Sequence, residues 1–236
     1  MQVLNYHDAV IFDSDLDIFC GPHWLNDRCI NWYFRYLEHE VFPGRDEYLF
    51  MDPAVVSCMR FQCDDTEELV DLGRGIAAAS KAKVFIPIND SGDLFSSGNH
   101  WSLLIYESST GGFYHFDSSN KCNRGASRGA AEQFWLLLGR TGGYHGCACK
   151  DIPLEHVNGV PQQSNAYDCG MYTVLLAEWF AREAAEESEA EKTLSGPIAP
   201  HLSPAYVTER RKTIRDILGE CIKGHKGRKC TTAEAK

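Results

Sequence analysis

The segment Pro161-Gln162-Gln163-Ser164-Asn165-Ala166-Tyr167-Asp168-Cys169-Gly170-Met171-Tyr172 places a cysteine where a polar turn gives way to an apolar run. Beyond it, Met171, Val174, Leu175, Ala177, Trp179 and Phe180 recur at the three-to-four-residue spacing of a buried helix face. Cys169 thus stands at a helix N-terminus, where unpaired N–H groups and the helix dipole favour an anion such as a thiolate. Gly170, without a side chain, permits a sharp turn and close approach of a substrate carbonyl. Gln163 lies upstream, and a short turn can carry its amide N–H₂ group back beside the sulfur as an oxyanion donor. A cysteine that opens an apolar helix is most often just a small buried hydrophobe. A nucleophile needs partners, and those must come from elsewhere in the chain.

Two strands supply them. Gly98-Asn99-His100-Trp101-Ser102-Leu103-Leu104-Ile105-Tyr106 and Gly112-Phe113-Tyr114-His115-Phe116-Asp117 read as a hairpin around the turn material Ser108-Ser109-Thr110-Gly111. Centring that turn sets Asp117 opposite His100 or opposite Ser102. Side chains alternate with period two, so either register puts the imidazole and the carboxylate on one face. Asp117 can then fix the histidine tautomer and leave the second ring nitrogen for Cys169. A strand histidine alone is more often structural, whereas the four residues together describe acyl transfer through a thioester.

The motifs Gly98-x-His100-Trp101-Ser102, His115-Phe116-Asp117-Ser118 and Pro161-Gln162-Gln163-x-Asn165-x-Tyr167-Asp168-Cys169-Gly170 resemble, in that order, the signature of the Ulp/SENP cysteine proteases. The resemblance extends to Trp24-Leu25-Asn26-Asp27 and to Leu202-Ser203-Pro204-Ala205-Tyr206-Val207-Thr208, and so spans most of the chain. It implies an α+β fold with a papain-like, Ulp/adenain-type core: a central mixed sheet flanked by helices, with the triad in the order His, Asp, Cys. It implies His100 as base, Asp117 as its orienter, Cys169 as nucleophile and Gln163 in the oxyanion hole, with no cofactor. Asn99, Trp101, Asp168 and Gly170 follow as substrate-contacting neighbours. Trp24 and Trp101 are expected to wall a channel too narrow for any residue but glycine; core packing is the plain alternative for both. Asp27 either caps a helix or pairs with an arginine just before the substrate's diglycine.

The implied substrates are a ubiquitin-like modifier precursor and modifier joined to lysine by an isopeptide bond. Compact length, the Leu202 to Thr208 match and the lack of a long N-terminal extension point to the small deneddylases of the family and to conjugates such as cullins. SUMO or ubiquitin as the modifier, a triad-sharing acetyltransferase and a binding module without turnover are the alternatives.

Composition agrees with a protein of this kind. At 236 residues, 44% hydrophobic and 24% charged, the chain can bury one sizeable core, expected over 1–222, behind an extended arm over 1–23. A net charge of −10 argues against nucleic acid and permits a basic partner. There is no apolar run long enough for a membrane span and no signal-peptide pattern, so a cytoplasmic or nuclear monomer is expected. The ten cysteines lack a pairing pattern and are read as free thiols. His145, Cys147 and Cys149 lack the second ligand pair a structural zinc needs, and no metal is expected.

Along the chain, Val10 to Phe12 and Leu16 to Phe19 read as short strands or extended arm. Asn26 or Asp27 caps a helix carrying Ile30, Phe34 and Leu37, and Asp65 or Thr66 caps another that Gly73 and Gly75 interrupt. Lys83 to Ile88 is a buried strand whose Pro87 belongs near an end or edge. Residues 89–93 form a polar loop rimming the channel. Asn120 to Arg128 reads as loop and Ala130 to Leu138 as helix, and Asp151 to Val157 as a last strand. The Ala/Glu-rich segment 184–192 prolongs the cysteine helix. Ser203-Pro204 opens a final helix, and 223–236 reads as a polar, disordered tail.

Overall fold

The computed structural model describes residues 1–120, 122–140, 152–186 and 198–233, with side chains given as far as His225. Its centre is a five-stranded mixed sheet: β3 (Tyr48–Phe50), β4 (Lys83–Asn89), β5 (Trp101–Glu107), β6 (Gly112–Phe116) and β7 (Leu154–His156), side by side in that order. The inner pairs β4–β5 and β5–β6 are antiparallel, while β3 and β7 run parallel to their neighbours. β5 lies in the middle and is buried on both faces. Trp101, Leu103 and Ile105 face one cluster of the core and Leu104 and Tyr106 the other.

Helices cover both faces. On the first side lie α2 (Asp27–Tyr36), α6 (Cys169–Glu186) and α7 (Pro204–Ala233), which gather Trp32, Phe34, Met171, Leu175, Val207 and Ile214 into one cluster of the core. On the second lie α3 (Pro53–Phe61), α4 (Thr66–Gly75) and α5 (Arg124–Leu137), with Met59, Leu69, Ala131 and Phe134. Helices on both faces of a mixed sheet are the α+β architecture expected from the sequence.

Local chemistry explains the boundaries. Asn26 caps α2 by accepting from the Cys29 amide at 2.9 Å, Asp52 caps α3 ahead of Pro53, and Asp65 caps α4. Gly73 does not interrupt α4. A Cβ there would stand 2.4 Å from the Leu137 carbonyl, so glycine lets α4 press onto α5. Pro87 sits mid-strand in β4, yet β3 pairs only with Lys83 to Phe85, so at Pro87 the β3 side has no ladder to lose.

Four further expectations change. Residues 2–12 form the hairpin β1 (Gln2–Tyr6) and β2 (Ala9–Phe12), but Asp13–Ile18 is a helix, α1, closed at its start by Asp15 bonding the Phe12 amide. α5 begins at Arg124, inside the expected loop, because Ser127, Ala130 and Ala131 are small enough to lie flat on the sheet. α7 continues to Ala233 and takes in residues read as a disordered tail. β7 is only three residues long. The 145–149 cluster and the continuation of α6 beyond Glu186 lie outside the described residues.

Candidate active site

The β5–β6 register pairs Leu103 with Phe116 and Leu104 with His115, which carried one step further sets Asp117 beside Ser102. This is one of the two registers expected. His100 precedes β5 by one residue and Asp117 follows β6 by one, so both lie at the same end of the hairpin, on the same face. His100 Nε2–H donates to Asp117 Oδ1 at 2.7 Å, leaving Nδ1 as the ring nitrogen for the Cys169 thiol, which is near enough to act on the His100 pKa. Cys169 is the first residue of α6 and is buried, with unpaired helix N–H groups beneath it.

Charge follows from these contacts. Burial works against an imidazolium at His100, but the hydrogen bond to Asp117 and the neighbouring Cys169 thiol, and then their charges, outweigh it and push the pKa up to about 10. Burial likewise works against the Asp117 carboxylate. The His100 hydrogen bond and the backbone N–H groups of Asn123 and Ser119, at 3.0 and 2.9 Å, nonetheless hold its pKa below the usual value. The pair is therefore imidazolium and carboxylate at neutral pH, and an imidazolium stabilises a thiolate beside it.

The polar turn before Cys169 is built by its own side chains. Asn165 Oδ1 accepts from the Tyr167 and Asp168 amides, and its Nδ2 donates to Asp168 Oδ2 at 2.7 Å. Gln162 Nε2 donates to the Asp117 carbonyl, tying this turn to the end of β6. Gln163 is fixed by its amide on the Ser118 carbonyl and by Ser118 Oγ donating to Oε1 at 2.8 Å, which turns Nε2 the other way; one Nε2 hydrogen goes to the Asn165 carbonyl.

The outer residues divide. A cleft of about 380 Å³ is lined by Trp24, Asp27, Arg60, Pro87, Gly98 and Trp101, among others. It ends against the nucleophile turn, because Trp24 Nε1 donates to the Ala166 carbonyl and Leu25 packs on Gly170. Trp24 is 49% exposed and Trp101 6%, its indole N–H on the Leu25 carbonyl at 2.9 Å. Trp24 is thus an open wall, and Trp101 is both wall and core. Asp27 is the first residue of α2 and lies at the cleft surface; burial of its carboxyl, then the negative charge of Asp52, raises its pKa. Asn99 is exposed, its amide on the Asp90 carboxylate that also takes the His100 amide.

Two residues expected to touch substrate do otherwise. Asp168 is buried and takes Arg211 of α7 at 2.7 Å, so its carboxylate anchors the nucleophile turn. Gly170 is buried against Leu25, where a Cβ would stand 2.8 Å from the leucine Cβ, so its smallness serves packing. Sequence reasoning passed over Ser118, Arg211, Asn123 and Arg60, the last of which holds the 89–98 rim through the Asn89 and Ser91 carbonyls. Ser118 lay inside a recognised motif; the others carry no local signal, since their partners are distant in sequence.

A buried thiol, imidazole and carboxylate in line, mounted between a sheet and a helix start, belong to the cysteine peptidases. Residues 23–203 match the Ulp1 protease family, C-terminal catalytic domain, and the chain belongs to that family. It is similar to human sentrin-specific protease 8, with 30% identity over 221 residues, 92% of this chain and 95% of the relative. NEDD8-specific protease 1 of Arabidopsis thaliana is 30% identical over 186 residues, 76% of this chain and 77% of that one. Among solved structures, the C-terminal Ulp1 protease domain in complex with Smt3, the yeast ortholog of SUMO, superposes with a TM-score of 0.69 at 17% identity, covering 94% of this chain and 88% of that one.

Proposed function

We propose that this protease uses Cys169 as nucleophile, His100 as acid and base, Asp117 as orienter and Gln163 as oxyanion donor to cleave after the C-terminal Gly-Gly of NEDD8. The observation that carries the chemistry is the hydrogen-bonded Asp117–His100 pair beside Cys169 at the start of α6. The Cys169 thiolate attacks the terminal glycine carbonyl. The second Nε2 hydrogen of Gln163 and the Cys169 amide receive the oxyanion, the imidazolium gives its proton to the leaving amine, and His100 then activates the water that hydrolyses the thioester.

NEDD8 as the modifier rests on the names of the relatives and on the cleft. Asp27 lies at the cleft surface within reach of the Asp52 charge, which favours an arginine next to the diglycine, and Trp24 and Trp101 both line the cleft. Precursor processing and release of the modifier from lysines, cullins among them, in cytoplasm or nucleus, are one reaction with different leaving groups. The test is kcat/KM on fluorogenic C-terminal amides of NEDD8, SUMO and ubiquitin. A preference for NEDD8 of at least about 100-fold, or some 3 kcal/mol, is expected; equal rates, or a higher rate on SUMO, would reject the substrate assignment and leave the chemistry.

A further inference from the structure

Asn123 occupies the N-cap of α5, a position where an asparagine ordinarily turns its side-chain oxygen onto its own helix. Here it does not cap. Its Nδ2 lies instead at 3.1 Å from the Ile88 carbonyl, 3.2 Å from the His100 carbonyl and 3.0 Å from Ser102 Oγ, while its backbone N–H donates to Asp117 Oδ2 at 3.0 Å. Two of the three Nδ2 partners are carbonyl oxygens, which only accept, so the amide orientation is set by chemistry. Asn123 Oδ1 is left buried with no hydrogen-bond partner among the described residues. Such an orphan costs about 1–3 kcal/mol, and a residue kept for stability alone would be better replaced by one that caps.

The contacts continue inward. Ser102 Oγ lies 3.0 Å from His115 Nε2, and His115 Nδ1 lies 3.0 Å from His156 Nδ1. One of the two facing Nδ1 atoms must accept, in keeping with the burial that pulls the His115 pKa down to about 4.

Resting on the assignment of His100 and Asp117 above, we propose that Asn123 is the positioning residue of the His100–Asp117 pair. It grips the backbone of the one and the carboxylate of the other, and it is braced from below by Ser102 and His115. At the end of the hairpin where the pair sits, it reinforces the β5–β6 ladder and the Ser102–His115 contact.

The test compares Asn123→Ala and Ser102→Ala with the wild type on the modifier amide that the wild type turns over. For Asn123→Ala the expected result is a fall in kcat of about 100-fold, the cost of a misplacement near 1 Å, with KM little changed. The alkaline limb of its pH profile should move to lower pH as His100 loses its hold on Asp117. Ser102→Ala, which keeps both carbonyl contacts of Asn123, should show the same limb shift with a smaller loss, and it decides the matter should Asn123→Ala not fold. A folded Asn123→Ala, or failing that Ser102→Ala, with wild-type kcat and an unmoved limb overturns the proposal. Failure of the triad itself reads differently: Cys169→Ala would then retain hydrolysis.

Discussion

At the scale of single residues, the chemistry depends on His100 being charged when the thiolate is needed. Its raised pKa comes from Asp117 and Cys169 overcoming burial. The alkaline limb of kcat/KM should therefore lie near pH 10, where the imidazolium loses its proton. Asp117→Asn should bring that limb down toward about 6.5, the value of a free histidine, and cut kcat by roughly 10³ to 10⁴. A pH profile of the variant that overlays the wild type would remove Asp117 from the role. The same pairing of side chains was legible in the sequence because period-two alternation puts His100 and Asp117 on one face in either register. Asn123 was not, because its importance comes from the start of α5 meeting the ends of two strands, and no local pattern encodes that meeting.

At the scale of elements, the nucleophile helix is held from three sides: by the Asn165 turn, by Leu25 against Gly170, and by Asp168 paired with Arg211. The last is an ion pair with both partners buried, 7% and 3% exposed at the side chains. Arg211 also donates to the Ile18 and Tyr167 carbonyls, so it joins α1, the turn and α7. Arg211→Ala leaves a buried carboxylate without its cation and should destabilise the fold by about 3–5 kcal/mol. Urea unfolding measures this directly, and a loss under about 1 kcal/mol would show that water replaces the arginine. Asp168 and Arg211 lie 43 residues apart, which is why the sequence suggested substrate contact for Asp168, the residue next to the nucleophile. Similarly, residues 124–128 read as loop in the sequence, whereas packing on the sheet draws them into α5, since small residues allow the helix close approach.

At the scale of the whole molecule, the α+β class was anticipated from alternating strands and helices, and the central mixed sheet flanked by helices from the family resemblance. The short strands β3 and β7 and the helical course of 13–18 depend on tertiary partners. Titration couples the whole fold to the site. His100, with its pKa raised in the folded state, contributes stability present below about pH 6.5 and lost as pH climbs toward about 10. His115, with its pKa lowered, contributes nothing adverse above pH 6.5 and destabilises as pH falls from there to about 4, because only the unfolded chain takes up that proton. Stability should accordingly be greatest near neutrality and fall on both sides. An unfolding midpoint that stays flat between pH 7 and pH 4.5 would contradict the buried neutral His115.

The net charge of −10 adds a long-range term. Association with a basic substrate tail should slow as salt is raised, and Asp27→Ala should raise KM and flatten that salt dependence with kcat little affected. The most direct measurement is the intact mass of the protein after incubation with C-terminal electrophile probes built on NEDD8, SUMO and ubiquitin, for the wild type and for Cys169→Ala. A single adduct with the NEDD8 probe, absent in the variant, is expected. An adduct that persists in Cys169→Ala, or no adduct with any probe, would contradict Cys169 as the nucleophile of a modifier protease.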